Sequence, residues 1–234
     1  MTAESKKDRI SLLTLIGANL IPVAGIFLFD WDVTYIVLLY WLENLIVGFY
    51  NILKMALFRM EQRADNFIKL FYIPFFCIHY GGFCAVHGFF LTTFFKIGTD
   101  ASPLANNVTW WGPLVFLQLL YSVVARFWAS GPPELIWGVA GLFISHGISF
   151  VENYIGGREY ITSSMSRLMH QPYQRIVIMH LAIIAGGIFV MKLDSPVVLM
   201  LILVILKIGF DLHLHNKSHR PKKKDRQPDS NHSE

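Results

Sequence analysis

Residues 70–95, LFYIPFFCIHYGGFCAVHGFFLTTFF, decide the class of fold. The stretch contains no Asp, Glu, Lys or Arg. It exceeds the roughly 20 apolar residues with which a helix crosses about 30 Å of hydrocarbon. The sequence therefore predicts a membrane-spanning helix here. The same run carries His79 and His87, which a simple membrane anchor does not require, and so raises the question of what these imidazoles do.

The rest of the chain repeats this pattern of long apolar runs separated by charged segments. Hydrophobic residues make up 54% of the 234 residues and charged residues 15%, whereas soluble domains carry about 25% charged residues. We therefore predict an all-α fold, a polytopic transmembrane helix bundle that occupies residues 11–215. Its seven apolar runs are 11–29, 33–57, 70–95, 110–128, 134–154, 175–192 and 195–215.

Charged tails flank the predicted bundle. We expect residues 1–10 to form a cytosolic tail. Residues 216–234 are polar and contain no Phe, Trp or Tyr, so we expect a disordered basic tail that contacts anionic lipid headgroups. Because the basic residues border the apolar runs, membrane topology accounts for the net charge of +4. The predicted partner is the lipid bilayer and not nucleic acid.

The distribution of Lys and Arg sets the number of crossings. Basic residues place the N-terminal tail, residues 54–69 and the C-terminal tail in the cytosol, which seven full crossings cannot do. Run 110–128 is the weakest, with Pro113 at its start, Gln118 in its middle and Arg126 near its end. We predict six spans plus one re-entrant or interfacial run, in the inner (cytoplasmic) membrane of a bacterium. Seven full spans with an external C-terminal tail are the alternative.

Ionisable side chains interrupt the apolar runs at similar depths. At the middle of a membrane helix such groups cost about 2.5–3.5 kcal/mol each and usually mark function. At about 1.5 Å per residue, the ones nearest the run centres fall within roughly 6 Å of one plane. We therefore expect them to meet in a polar layer. They are Glu43, His79, His87, His146, His180 and Lys207.

The four histidines of this set are the candidate metal ligands, with zinc, iron or haem as the group they would hold. No HExxH motif supports this assignment. Glu43 and Asp211 are the candidate catalytic residues. The supporting polar residues are Asn44, Glu152, Asn153 and Lys207.

The helix over residues 70–95 is predicted to have two different faces. His79 and His87 lie two turns apart and roughly 80° apart around the axis, so they cannot bind one metal ion by themselves. We expect each to reach a different partner helix. The other face carries small residues, which let a neighbouring helix approach closely. These residues are Cys77, Gly81, Cys84 and Gly88.

Three functions from different classes fit these residues. The first is a metal- or haem-binding membrane enzyme or redox protein. The second is a proton-coupled small-molecule transporter with Glu43, the histidines and Asp211 as its relay. The third is a structural or accessory protein whose polar residues only fix helix packing. For Glu43 the simpler alternatives are a salt bridge to Lys207 and a hydrogen bond to a histidine. Arg175, at the start of its run, is expected to snorkel to the interface.

Four short stretches carry a family resemblance. They are YWLEN (40–44), HYGGF (79–83), SHGISFVENY (145–154) and RIVIMH (175–180). Together they resemble the landmarks of an uncharacterised bacterial family of multi-pass membrane proteins, a domain of unknown function. The resemblance covers roughly residues 11–215. It implies an integral membrane helix bundle and implies no activity.

Overall fold

The computed structural model is helical throughout its regular elements and has no strand among the residues that it describes. Helices α1 to α4 are Val33–Leu57, Asn66–Phe94, Val115–Ser130 and Leu135–Ser149, and α5 and α6 are Glu159–Thr162 and Met165–His170. A 3-10 turn, Gly112–Leu114, precedes α3, and a π-helical turn, Phe150–Gly156, extends α4. Residues 173–178, 180 and 181 are also helical, and we call them the Tyr173 segment. The described residues are 28, 33–58, 66–98, 109–131, 133, 135–178, 180–181, 201–202, 205–206 and 209.

Four helices are long and apolar enough to cross a membrane. They are Ile36–Leu57, Phe67–Phe94, Gly112–Ser130 and Leu135–Gly156. These helices confirm the helical prediction for the second to fifth apolar runs. The two predicted tails and all of the first run but residue 28 lie outside the described residues, and the last two runs are described only in part.

Helices α1 and α2 run antiparallel and form the centre of the bundle. The buried indole of Trp41 donates from Nε1 to the carbonyl oxygen of Cys84 at 2.9 Å. Further along α1, the carbonyl oxygen of Asn44 accepts from the hydroxyl of Tyr80 at 2.9 Å. Where α1 ends, Nζ of Lys69 donates to its last carbonyl groups, which a helix leaves without intrahelical partners.

The small-residue face of α2 is where the neighbouring helices approach most closely. A Cβ at Gly88 would lie 2.6 Å from both Cζ2 of Trp41 and Cγ1 of Val123. At Gly81 a Cβ would lie 3.3 Å from Cδ2 of Leu117. Glycine therefore lets α1 and α3 pack against α2 at these points, as the spacing of small residues predicted.

Helix α3 packs along α2 in the same direction. Gly82, near the middle of α2, faces Phe116 at the start of α3. Gly98, just beyond the end of α2, faces Arg126 and Ser130 at the end of α3. The stretch from Gly98 to Ser130 therefore begins and ends at the same end of α2.

The chain enters α3 through a turn that doubles back along the helix. Oε1 of Gln118 accepts from the backbone N–H groups of Thr109 and Trp110, at 2.9 Å each. The residues that precede α3 therefore lie beside its first turns. Gly112 reverses the chain with a φ of +55°, a conformation that glycine adopts readily. Pro113 follows within the first turn, where its missing N–H is not needed.

Helix α4 runs parallel to α1. His146 of α4 lies beside Glu43 of α1. Further along both helices, the hydroxyl of Tyr154, in the π-helical turn, donates to the carbonyl oxygen of Lys54 at 2.6 Å. Contacts that advance together along two helices are those of a parallel pair.

The Tyr173 segment runs parallel to α2 by the same criterion, because His79 contacts Tyr173 and His87 contacts His180. In the described part of the chain, α1 and α4 thus point one way, and α2, α3 and the Tyr173 segment point the other. These helix directions determine which ends of the helices lie together and which polar side chains lie at the same level.

Candidate functional site

The carboxylate of Glu43 is the buried charge at the centre of the candidate site. It lies near the middle of α1, and the residue is only 9% exposed. Nη2 of Arg175 donates to its Oε1 at 2.6 Å, and Nε2 of His146 lies 3.3 Å from the same oxygen. One carboxylate oxygen therefore contacts both a guanidinium and an imidazole, supplied by two other helical elements.

The three side chains differ in how open they are. The exposed fraction is 11% for the Glu43 side chain, 27% for His146 and 32% for Arg175. The guanidinium is always charged in proteins, so its pairing with Glu43 compensates two charges that would be costly alone at this depth. The two partners of Glu43 are therefore more open than the carboxylate that they contact.

A second contact joins His79 of α2 to the Tyr173 segment. The hydroxyl of Tyr173 and Nδ1 of His79 are hydrogen-bonded at 2.7 Å. The hydroxyl of Tyr173 can donate to the imidazole, which accepts at Nδ1 when that nitrogen carries no proton.

A third contact joins two imidazoles directly. Nε2 of His87 lies 2.8 Å from Nδ1 of His180, and Nδ1 of His87 lies 2.6 Å from the carbonyl oxygen of Phe83. A carbonyl can only accept, so Nδ1 of His87 carries the proton when the ring is neutral, and Nε2 accepts from His180. The pair is thus a donor–acceptor chain that runs from His180 through His87 to the α2 backbone.

All three contacts end on the Tyr173 segment. We expected His79 and His87 to reach different helices, and this prediction is wrong. Tyr173 and His180 are separated by two turns of helix, as are His79 and His87, so two parallel helices can align both pairs at once. The predicted polar layer consists of three contacts along one interface and not of a single cluster.

The role of Arg175 was missed at the level of sequence. Its position at the start of a run suggested snorkelling, but its guanidinium contacts Glu43. The Tyr173 segment packs antiparallel to α1, so its first turn lies level with Glu43 in the middle of α1. The negative charge of Glu43 within an apolar run was the sequence signal for a cationic partner, because a buried carboxylate needs a cation. Of the two simpler partners considered for Glu43, a histidine is confirmed as His146, and Lys207 lies outside the described residues.

The remaining predicted residues lie apart from the three contacts or outside the described part of the chain. Nδ2 of Asn44 donates to the carbonyl oxygen of Tyr40 on its own helix, at 2.7 Å. Nδ2 of Asn153 donates to Oγ of Ser149, at 3.0 Å, and Glu152 is exposed. The π-helical turn changes the rotation per residue after Ser149, so Asn153 does not share with His146 the face that it would share on a regular α-helix. Asp211 is not among the described residues.

The donor set does not support a metal centre in the described part of the chain. No group of three or more His, Cys, Asp or Glu residues there could hold a metal ion. The closest approach to one is the His87–His180 pair. A tetrahedral ion with bonds of about 2.0–2.1 Å would keep its ligand nitrogens about 3.3 Å apart, whereas these two lie 2.8 Å apart, at hydrogen-bonding distance.

Comparison with known protein families identifies the family of this chain. The model of a family of unknown function, DUF6498, matches residues 1–228. The chain belongs to this family. Membership of DUF6498 confirms the predicted resemblance to a family of unknown function and extends it from residues 11–215 to nearly the whole chain. No curated protein and no solved structure matches the chain significantly.

Proposed function

We propose that this member of DUF6498 is an integral protein of the cytoplasmic membrane with six spans, and that run 110–128 is re-entrant. Seven alternating full crossings would make α1 and α4 antiparallel, whereas they run in the same direction. A re-entrant run between them restores this direction. The contact between Gly98 and Ser130 supports the same conclusion, because a run whose ends lie together makes no net crossing.

Within this topology, the function that the geometry supports best is proton-coupled transport of a small molecule. The observation that carries it is the oxygen of Glu43 shared by Arg175 and His146. A proton that binds Glu43 cancels its charge and weakens its bond to Arg175. Proton binding to Glu43 is thereby linked to the contact that holds the Tyr173 segment against α1. Coupling of protons to transport requires such a contact, one that is formed in one protonation state and weakened in the other.

Helix packing alone is a weaker explanation for these residues. Interhelical hydrogen bonds in membranes contribute about 0.6 kcal/mol on average. Placing an ionisable group at mid-membrane costs about 2.5–3.5 kcal/mol, and a buried ion pair is often no more stabilising than an apolar pair of similar volume. Serine or asparagine could fix the packing at lower cost, so a carboxylate and a guanidinium at this depth favour a chemical role.

The turn before α3 also favours a water-filled path. Thr109, Trp110 and Trp111 are exposed and not helical, and they lie beside the first turns of α3 at a level near the middle of α2. Irregular backbone at membrane depth occurs where it is covered by protein or lines a water-filled cavity. A transporter provides such a cavity.

Proton uptake into proteoliposomes tests this function. The full chain is reconstituted with a pH-sensitive dye inside, and uptake is followed under an inward proton gradient with lactate, alanine, glucose or no added solute. We expect solute-dependent uptake with at least one of these that is lost in Glu43→Gln. Glu159→Gln, which neutralises an exposed carboxylate on α5, is the matched control and should behave as the wild type. Uptake indistinguishable from protein-free vesicles in all four conditions would contradict the proposal.

A second candidate is a structural or accessory role, favoured by the fact that all three contacts end on one segment. In that case Glu43→Gln would lower the stability of the protein in detergent. Proton uptake with the wild type and with Glu43→Gln would equal that of protein-free vesicles. Purification of a well-folded Glu43→Gln protein with an altered flux would exclude this alternative.

A further inference from the structure

We infer that Arg175 binds the carboxylate of a small organic anion when Glu43 is protonated, so that the transported substrate is a monocarboxylate that moves together with a proton. This inference rests on the proposed transport function and names its substrate class. It starts from what Arg175 holds now, since the partner of its guanidinium is itself a carboxylate.

The geometry makes the exchange of one carboxylate for another reasonable. Nη2 of Arg175 lies 2.6 Å from Oε1 of Glu43, and about one-third of the Arg175 side chain is exposed. A guanidinium presents its donors as a planar fork that matches a carboxylate. When Glu43 takes up a proton, the guanidinium keeps its positive charge, and the carboxylate of a ligand can then replace the anion that the site has lost.

The charge balance selects a monoanion. Ionised Glu43 and Arg175 together carry no net charge, and so do neutral Glu43, Arg175 and one bound monocarboxylate. A dicarboxylate would bring a second negative charge, which the single guanidinium of Arg175 does not balance. His146, which contacts the same oxygen of Glu43, can donate to either carboxylate.

Two consequences follow for transport. One proton and one monoanion move together, so the cycle carries no net charge and should not respond to membrane potential. Because binding of the anion is linked to a single proton, the affinity should fall about tenfold per pH unit wherever Glu43 is ionised in the free protein.

Binding of L-lactate and succinate to the detergent-purified full chain, measured by calorimetry between pH 5.5 and 8, tests the inference. The wild type should bind lactate with the expected tenfold dependence per pH unit and, at neutral pH and above where succinate is a dianion, bind succinate at least tenfold more weakly. Glu43→Gln should bind lactate equally well at every pH, because its residue 43 is always neutral. Arg175→Gln should not bind it, while Arg167→Gln, which removes an exposed arginine of α6, should bind like the wild type.

Arg175→Lys covers the case in which Arg175→Gln does not fold. It keeps the charge but loses the fork, and should weaken lactate binding at least tenfold. Lactate binding that is independent of pH in the wild type, or unchanged in Arg175→Lys, would overturn the inference. In the proteoliposomes, proton uptake that requires alanine or glucose instead of lactate would also overturn it, yet would leave proton-coupled transport standing.

Discussion

Gly98 and Ser130 lie side by side, since a Cβ at Gly98 would sit 3.0 Å from Oγ of Ser130. The chain between them includes Gly112–Ser130, the 3-10 turn and α3, which together are long enough to cross a membrane. The length of a helix therefore does not by itself show that the helix crosses the membrane. The direction of α3 relative to α2, and the doubled-back turn held by Gln118, decide where its ends lie.

The first prediction concerns membrane sidedness. With Cys77 and Cys84 replaced by alanine, a cysteine at Ser130 should react with an impermeant maleimide added outside intact cells. A cysteine at Ser166, on α6, should react only after permeabilisation, because an odd number of crossings separates the two positions in the six-span topology.

Ser218, in the basic tail, extends the same measurement. A cysteine there should also be protected in intact cells, since six spans return the chain to the cytosol. Labelling of Ser218 from outside would contradict the six-span topology, as would labelling of Ser130 and Ser166 from the same side.

The second prediction concerns the ion pair. Glu43→Ala leaves the guanidinium of Arg175 without its carboxylate and should lower the free energy of unfolding by about 3 kcal/mol, the low end for a broken buried pair, because Arg175 is partly exposed. Unfolding in mixed detergent and SDS measures this change. Arg175→Ala should cost a similar amount, and the double variant clearly less than the sum of the two.

A matched cycle at exposed positions controls for charge removal. Glu159→Ala and Arg167→Ala, on the exposed surfaces of α5 and α6, should each change the free energy of unfolding by less than about 0.5 kcal/mol. Strict additivity of the Glu43 and Arg175 variants would mean that the two side chains do not interact.

The third prediction concerns the hydrogen bonds of the Tyr173 segment. Tyr173→Phe removes the hydroxyl that contacts His79 and should cost about 0.6 kcal/mol, and at most about 1.7 kcal/mol, of stability. Tyr121→Phe, at a 71% exposed phenol on α3, is the control and should have no measurable effect. Equal effects of the two substitutions would show that the contact with His79 contributes nothing.

The fourth prediction concerns the glycine face of α2. Gly88→Ala forces a Cβ to within 2.6 Å of Trp41 and Val123 and should destabilise the protein by about 1–3 kcal/mol through overpacking. Gly141→Ala, in α4, places a Cβ where no atom lies within 4 Å. This control should be neutral or stabilise by up to about 1 kcal/mol, because alanine favours helix. A neutral Gly88→Ala would contradict the close approach of the three helices.

The helices were predictable because apolar composition alone determines them. Runs 33–57 and 134–154 appear as α1 and α4 within a few residues, since long stretches without charge leave a helix as the main structure that satisfies the backbone in lipid. Composition also identified Glu43 and the histidines as candidate site residues, because ionisable side chains are unusual in apolar runs. These features need no knowledge of which helices are neighbours.

A bond between Glu43 and a histidine was among the alternatives, but the other pairings were not predictable, because periodicity within one helix does not identify its neighbour. Arg175 was expected to snorkel, since its position in its own run says nothing about the level at which that run meets α1. The orientation of Asn153 was also unpredictable, because a π-helical turn changes the rotation per residue without an evident sequence signal. Gln118 was read as a weakness of its run, whereas it holds the turn that reverses the chain.

The late position of the Tyr173 segment in the chain has a consequence for biosynthesis. His180 follows its partner His87 by 93 residues, so at about 5–20 residues per second the ribosome needs roughly 5–20 seconds to make it. During that interval α1 and α2 have already emerged with Glu43, His79 and His87 still lacking their partners on this segment. Nascent chains that stop before Arg175 should therefore be held at the insertion machinery, or recognised by quality-control proteases, until the last polar contacts of the bundle can form.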